Sequence, residues 1–280
     1  PDLVTNLPAL EACDTAQNGV QTFDLTSQSA AILANEATPA NFTLTYYASQ
    51  ADYTAGTAIA NPTAYDNTSN PQSIVVEAEG PNNCTSTTSF DLVVNPLPSY
   101  NTPVTQVVCD DATADGIAVF DLTAATNQLT GNNPNYQVDY YETPADLAAG
   151  TNALPSNYTN TTAYNQTIYF QIEDQTTGCL IDDAIDLQVD TAPAANTPQV
   201  YTFCDDDNDG FGLFNLPSLD NEITGGAAGV SVSYHQTLAN AQNNALPLPA
   251  NFTNTVNTTQ VIYARVVSPG VACYTIVNVT

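Results

Sequence analysis

Apolar and polar residues alternate with a period of two along most of the chain. In Tyr136-Gln137-Val138-Asp139-Tyr140 the polar members are Gln137 and Asp139. Phe42, Leu44 and Tyr46 follow the same rule, as do Val230, Val232 and Tyr234. Ile168, Phe170 and Ile172 alternate with Tyr169, Gln171 and Glu173, and Phe90, Leu92, Val94 and Ile185, Leu187, Val189 form later runs. Strands with one buried and one wet face are the mark of antiparallel sheet. Turn signals separate them, at Asp115-Gly116, Gly131-Asn132-Asn133-Pro134 and Thr177-Gly178. Short helical turns are expected at Thr26–Leu33 and Thr143–Ala149, where Pro144 follows a capping Thr.

The pattern repeats. The six Cys stand at 13, 84, 109, 179, 204 and 273, in a long-short rhythm. Phe23-Asp24-Leu25 matches Phe120-Asp121-Leu122 and Phe214-Asn215-Leu216. Tyr46-Tyr47 matches Tyr140-Tyr141 and Tyr234-His235, and Asn-Thr-Pro recurs at 101–103 and 196–198. Three copies follow, over 1–97, 98–192 and 193–280. Each has about six or seven strands, which predicts an all-β chain of three tandem Ig-like antiparallel β-sandwich domains. The joints, Asn95-Pro96-Leu97-Pro98 and Thr191-Ala192-Pro193, are Pro-rich and read as semi-extended spacers. The third copy ends sooner after its second Cys than the other two, so its final strand is cut short. The chain, opening at Pro1 without a signal sequence, reads as a piece of a longer protein.

Composition narrows the functional classes. There are 29 acidic residues against one basic residue, Arg265, and one His, His235. A formal charge of −28 excludes nucleic acid and anionic membrane as partners, since both are held through Lys and Arg. Without lysine there is no P-loop and no Schiff base. No apolar run approaches the length of a membrane-spanning helix. A hydrophobic fraction of 43% is enough to build cores. His235 and Arg265 both fall on outward strand positions and read as a surface substitution and a solvated charge. No nucleophile elbow or triad context accompanies the His, so an enzyme is not expected. The outward Tyr47, Tyr141, Tyr169 and Tyr263 read as cross-strand packing, with contact to sugar rings as the other use. Asn-x-Ser/Thr occurs at Asn41, Asn67, Asn83, Asn157, Asn160, Asn165, Asn251, Asn257 and Asn278, which chance in an Asn- and Thr-rich chain largely explains. Asp14-Thr15-Ala16 and Asp190-Thr191-Ala192 resemble a bacterial O-glycosylation acceptor.

Two disulfide schemes respect the repeat. One closes each copy on itself, Cys13–Cys84, Cys109–Cys179 and Cys204–Cys273. The other staples Cys84 to Cys109 and Cys179 to Cys204. The first is favoured, because the first Cys ends an opening strand and the second begins a closing one. Three such bonds imply an oxidising, extracellular compartment. Acidic residues follow each first Cys. In Cys204-Asp205-Asp206-Asp207-Asn208-Asp209-Gly210, the residues Asp205, Asp207 and Asp209 match the first half of a calcium loop. Asp110, Asp111 and Asp115 offer a second set, whereas copy one keeps only Asp14 and Asn18-Gly19. Oxygen-only ligands select calcium over transition metals. The plain alternative is a solvated acidic turn.

Pro-x-x-Asn-Thr-Pro, then Cys-Asp-Asp-Asp-Asn-Asp-Gly-Phe-Gly-Leu-Phe-Asn-Leu, then Tyr-His-Gln-Thr-Leu-Ala-Asn-Ala form a combination more specific than any one motif. It resembles the tandem repeats of very large secreted surface proteins of Bacteroidota, which commonly carry a type IX secretion sorting domain and are of the gliding-motility-associated or adhesin-like type. The resemblance implies a cell-anchored extracellular stalk or filament whose partners are neighbouring repeats of the same chain, with host or environmental glycans as further candidates. A polysaccharide-binding module and a self-assembling filament or surface-layer subunit are the alternatives.

Overall fold

A computed structural model describes residues 1–111, 113–268, 270 and 273–280. The architecture is all-β, in tandem Ig-like repeats. In copy one the strands are β1 Leu10–Cys13, β2 Thr22–Phe23, β3 Thr43–Tyr47, β4 Tyr65–Asp66, β5 Gln72–Glu79 and β6 Thr85–Asn95. The main sheet runs β1-β6-β5-β3, and β2 with β4 forms a second ribbon. Copy two has β7 Gln106–Cys109, β8 Val119–Asp121, β9 Tyr136–Tyr141, β10 Asn157–Thr159, β11 Asn165–Asp174 and β12 Cys179–Asp190. Its order is β7-β12-β11-β9, with a β8–β10 ribbon. Copy three has β13 Leu213–Asn215, β14 Ser231–His235, β15 Asn251–Thr253, β16 Ile262–Val267 and β17 Tyr274–Val279, ordered β14-β16-β17 with a β13–β15 ribbon.

The chain forms two compact units. One comprises Pro1–Thr102, Thr126–Tyr140 and Phe170–Asp183, the other Pro103–Ala125, Tyr141–Tyr169 and Ala184–Thr280. In the first, Ile74, Val76 and Ala78 of β5 and Phe90, Leu92 and Val94 of β6 close on Phe23, Leu25 and Ile32. In the second, Ala264 and Val266 of β16 pack with Leu216, Ile223 and Phe252. The inward member of each Tyr-Tyr landmark is tied to the helical turn that covers it. Tyr46 Oη lies 2.9 Å from Ser29 Oγ, Tyr140 Oη lies 3.2 Å from Thr126 Oγ1, and Tyr234 donates to Asp220 at 2.7 Å. Burial pushes the Tyr140 phenol up to about 12.

The helical turn expected at Thr26–Leu33 is present as Leu25–Gln28 running into Ser29–Ile32. The turn expected at Thr143–Ala149 is a helix over Pro144–Ala149, and the Thr143 hydroxyl accepts from Asp146 N at 3.1 Å. Equivalent helices over Gln50–Ala55 and Leu238–Gln242 are capped by Ser49 and Thr237. These helices correct the outward reading of three residues. Each follows β3, β9 or β14 directly, so Tyr47, Tyr141 and His235 are buried rather than solvated. Tyr53 of the first helix meets the Tyr47 ring edge-on at 5.2 Å.

One pairing governs where the cysteines lie. β1 runs parallel to β6, with Leu10 opposite Leu92 and Cys13 opposite Asn95. β7 repeats this against β12, with Cys109 opposite Asp190. Parallel strands set end beside end. Cys13 is therefore at the far end of β6 from Cys84, roughly 35 Å away at about 3.3 Å per residue.

Candidate functional site

The cysteines are not paired as the sequence suggested. A disulfide requires Cα atoms about 4.4–6.8 Å apart, and the parallel β1–β6 and β7–β12 pairings separate the two Cys of one copy by most of a strand. Instead Cys13 bonds Cys179 with a Cα separation of 5.6 Å. Cys109 bonds Cys273 with a Cα separation of 5.4 Å. The first Cys of copies one and two thus joins the second Cys of the next copy. Cys13–Cys84, Cys109–Cys179 and Cys204–Cys273 do not form, and neither do Cys84–Cys109 and Cys179–Cys204. Cys84 and Cys204 are unpaired and exposed.

The two bonds have the same surroundings. At the first, Asn95 ends β6 and opens the linker. Its carbonyl accepts from Asp14 N at 2.8 Å and lies 4.0 Å from Cys179 Sγ. At the second, the carbonyl of Asp190 accepts from Asp110 N at 2.8 Å and lies 3.5 Å from Cys273 Sγ. Thr275 adds a bond to Pro193 O at 2.6 Å. Each joint is therefore crossed twice by covalent chain, once by the Pro-rich linker and once by the disulfide. After the first linker, Tyr100 seats its ring against Phe170 at 5.6 Å and donates to Asp183. Burial, then the Asp183 hydrogen bond and charge, push its phenol up to about 12.

These features decide the family. The Flavobacterium inter-domain disulphide bond domain matches residues 9–98, 105–193 and 200–280. The chain belongs to that family. Its inter-domain disulphide repeats match no curated protein. Among solved structures, Sidekick-1 immunoglobulin domains 1–5 are 9% identical, with 100% of this chain and 58% of that chain covered and a TM-score of 0.32. The titin I-band fragment I67–I69 is 10% identical, covering 86% and 87%, with a TM-score of 0.29. Drosophila N-cadherin EC1-4 is 10% identical, covering 98% and 73%, with a TM-score of 0.24. The chain spans little more than half the length of the Sidekick-1 fragment. These likenesses concern the fold alone.

Each acidic loop of these inter-domain disulphide repeats follows the first Cys of its copy, which is bonded at Cys13 and Cys109 and free at Cys204. Asp205, Asp207 and Asp209 bring carboxylate oxygens within 4.8 Å of one another, and so do Asp110, Asp111 and Asp115. In all three loops the first Asp also has a mechanical use. Asp14, Asp110 and Asp205 accept from the N–H of Gly19, Gly116 and Gly210 at 2.9, 2.9 and 2.7 Å. Gly116 and Gly210 have positive φ, and a Cβ on either would meet Tyr164 N at 2.8 Å or Asn257 Nδ2 at 2.2 Å. The Gly210 bond holds the Asp205 carboxyl below the usual range. Asp207 goes the other way. The Asp209 N–H pulls it down, but the hydrogen bond with Asp205 and the charges of Asp209 and Asp205 outweigh that pull.

A buried Asn in each copy pins the loop, a role that the sequence reading missed. Asn67, Asn160 and Asn254 accept from Gln21, Ala118 and Gly212 N. Their amides donate to the carbonyls of Gly19, Gly116 and Gly210 and of Ser69, Thr162 and Val256. In sequence Asn67 and Asn160 read only as glycosylation sequons, yet both are buried with their amides engaged. Their offsets from the first Cys of each copy are close but unequal, at 54, 51 and 50 residues, so spacing alone gives little signal. His235 is fully buried, with Nε2 2.9 Å from Ser233 Oγ and Nδ1 2.8 Å from Ala245 O. Arg265 is half-buried rather than freely solvated, its guanidinium 4.0 Å over the Tyr274 ring.

Proposed function

We propose that the chain is a load-bearing segment of a long extracellular stalk or adhesin filament, exported by a Bacteroidota type IX route and anchored at the cell surface. The observation that carries this reading is the disulfide crossing each Pro-linked joint. Two disulfides require an oxidising compartment. Bonds inside single domains would stiffen each bead; bonds between successive repeats restrain the joints. Dense negative charge adds self-repulsion along the chain, which favours extension. Small-angle scattering of the oxidised chain against a variant with Cys13, Cys109, Cys179 and Cys273 all changed to Ser tests this. An extended profile is expected, with a broader spread of dimensions in the variant. Identical spreads in the two proteins would remove the stalk reading.

The same reading assigns calcium to the acidic loops at Asp205, Asp207, Asp209 and at Asp110, Asp111, Asp115. The crowding that raises Asp207 supports it, because a cation relieves repulsion that water leaves in place. The raised Asp207 value means the fold favours its protonated form. That contribution is present at low pH and is lost as pH rises through the raised value. At neutral pH without calcium, Asp207→Asn is therefore expected to raise the melting temperature. In millimolar calcium it is expected to lower it relative to the parent. A binding ion adds about 2.7 kcal/mol at a hundredfold excess over Kd. Equal melting temperatures of the parent in calcium and in EDTA would overturn the assignment.

A further inference from the structure

The loop of copy one departs from the other two at a residue that carries its own chemistry. Asn18-Gly19 stands where copies two and three have Asp115-Gly116 and Asp209-Gly210, and Asn is followed by Gly nowhere else in the chain. The amide of an Asn before Gly is open to attack by the next backbone nitrogen, because Gly has no Cβ to obstruct the approach. The fold fixes both partners of that attack. Gly19 N, the attacking atom, donates to Asp14 Oδ2 at 2.9 Å, which is within the reach of a general base. Asn18 N holds the other carboxylate oxygen at 3.0 Å. Asn18 Oδ1, where negative charge gathers during attack, accepts from Val20 N at 2.9 Å. That donor stands where an oxyanion hole would place one. Asn18 is exposed, so water reaches it. A Cβ on Gly19 would meet nothing within 4 Å, whereas Gly116 and Gly210 are crowded by Tyr164 and Asn257. This loop therefore has room for a ring at its glycine. The acid that results has a place ready. Asp115 accepts from Ile117 N at 3.0 Å and Asp209 from Phe211 N at 2.8 Å. Those are the counterparts of the bond between Asn18 and Val20, so an acid at position 18 keeps it.

We propose that Asn18 is a site of self-modification, at which the loop turns its own side-chain amide into a carboxylate. Gly19 N bonds to Asn18 Cγ as its proton passes to Asp14. The bond from Cγ to Nδ2 then breaks, and the amide nitrogen takes that proton and leaves as ammonia. Water opens the cyclic imide. Attack at the side-chain carbonyl gives Asp, and attack at the main-chain carbonyl gives isoaspartate. Water is the sole co-reactant, and no electrons change hands. Conversion to Asp leaves an acid before the loop glycine in all three copies and makes the chain one charge more negative. The inference is independent of the stalk reading.

Ageing the oxidised 280-residue chain at neutral pH tests this. Peptide mapping by mass spectrometry follows each Asn, and an isoaspartyl methyltransferase assay reads the second product. Asn18 is expected to convert ahead of every other Asn. It is expected to convert at least as fast in the folded chain as in a peptide of residues 14–21, where Asp14 and Val20 are not held in place. Asp14→Asn is expected to slow conversion several-fold, with circular dichroism showing the β fold retained. Asn18→Asp is expected to melt with the parent, because the product fits the loop. Slower conversion in the folded chain than in the peptide would overturn the proposal, since the loop would then protect its amide. So would an Asn18 that keeps its amide while other Asn lose theirs. A folded Asp14→Asn chain that converts at the parent's rate, or an Asn18→Asp chain that melts well below the parent, would count equally against it. The parent and peptide rates decide the matter even where Asp14→Asn fails to fold.

Discussion

At the scale of single residues, the strongest local constraint is an amide that composition hides among many. Asn254 accepts from Gly212 N at 2.7 Å and donates to the carbonyls of Gly210 and Val256 at 2.9 and 2.8 Å. Asn254→Ala leaves those three backbone groups without their partner in a nearly closed site. A net loss of roughly 2–4 kcal/mol is expected from unmade bonds of this kind. Urea unfolding of the variant measures it, and Asn251→Ala, at an exposed position, serves as the control with little change. Asp205 has a related duty, since its carboxyl, held low mainly by Gly210 N–H, closes the loop. Its contribution is present above the unfolded carboxylate value and fades as pH falls through the lowered one. Acid titration of the third loop, followed by amide NMR at Gly210, is expected to show this bond opening at a lower pH than that at which Asp207 takes up its proton. The Asp-to-Gly geometry was open to sequence reading in outline, as acid followed by glycine. The Asn partner was not, because nothing in an Asn-Thr pair distinguishes a buried amide from a surface sequon.

At the scale of elements, strand existence was legible and strand direction was not. Alternation marks Ile168, Phe170 and Ile172 as inward, and all three are buried. It carries no information on whether the four-residue β1 runs with β6 or against it, since both arrangements present the same faces. An antiparallel β1 would have brought Cys13 beside Cys84. The parallel one brings it beside Asn95 and the linker, and the bonding pattern follows from that single choice. The helix after β9 shows the same limit. Thr143 and Pro144 announce it, yet nothing in the alternation tells that Tyr141, just before it, is buried. Thr143→Ala is expected to cost about 1 kcal/mol through the lost cap. Near-UV circular dichroism is expected to lose part of its tyrosine signal in step, because the cover over Tyr141 loosens first.

At the scale of the whole molecule, the two disulfides interlace. Cys109 lies inside the span closed by Cys13–Cys179, and Cys273 lies beyond it. Three stretches of polypeptide, 13–109, 109–179 and 179–273, therefore each link the same two covalent junctions. Tension between the chain ends is limited by the shortest, about 70 residues or roughly 250 Å when taut. Reduced, the same junctions are separated by the whole stretch from 13 to 273, roughly 900 Å when taut. Single-molecule pulling is expected to show this difference in contour length, and equal lengths with and without reductant would contradict the bonding. The arrangement has a consequence for survival in protease-rich surroundings. A single cut anywhere between Cys13 and Cys273 releases no fragment, because two stretches still connect the junctions. A second cut, in a different stretch, leaves one. Only when all three are severed do the halves part, so oxidised chains tolerate nicks that would dismember a simple string of domains.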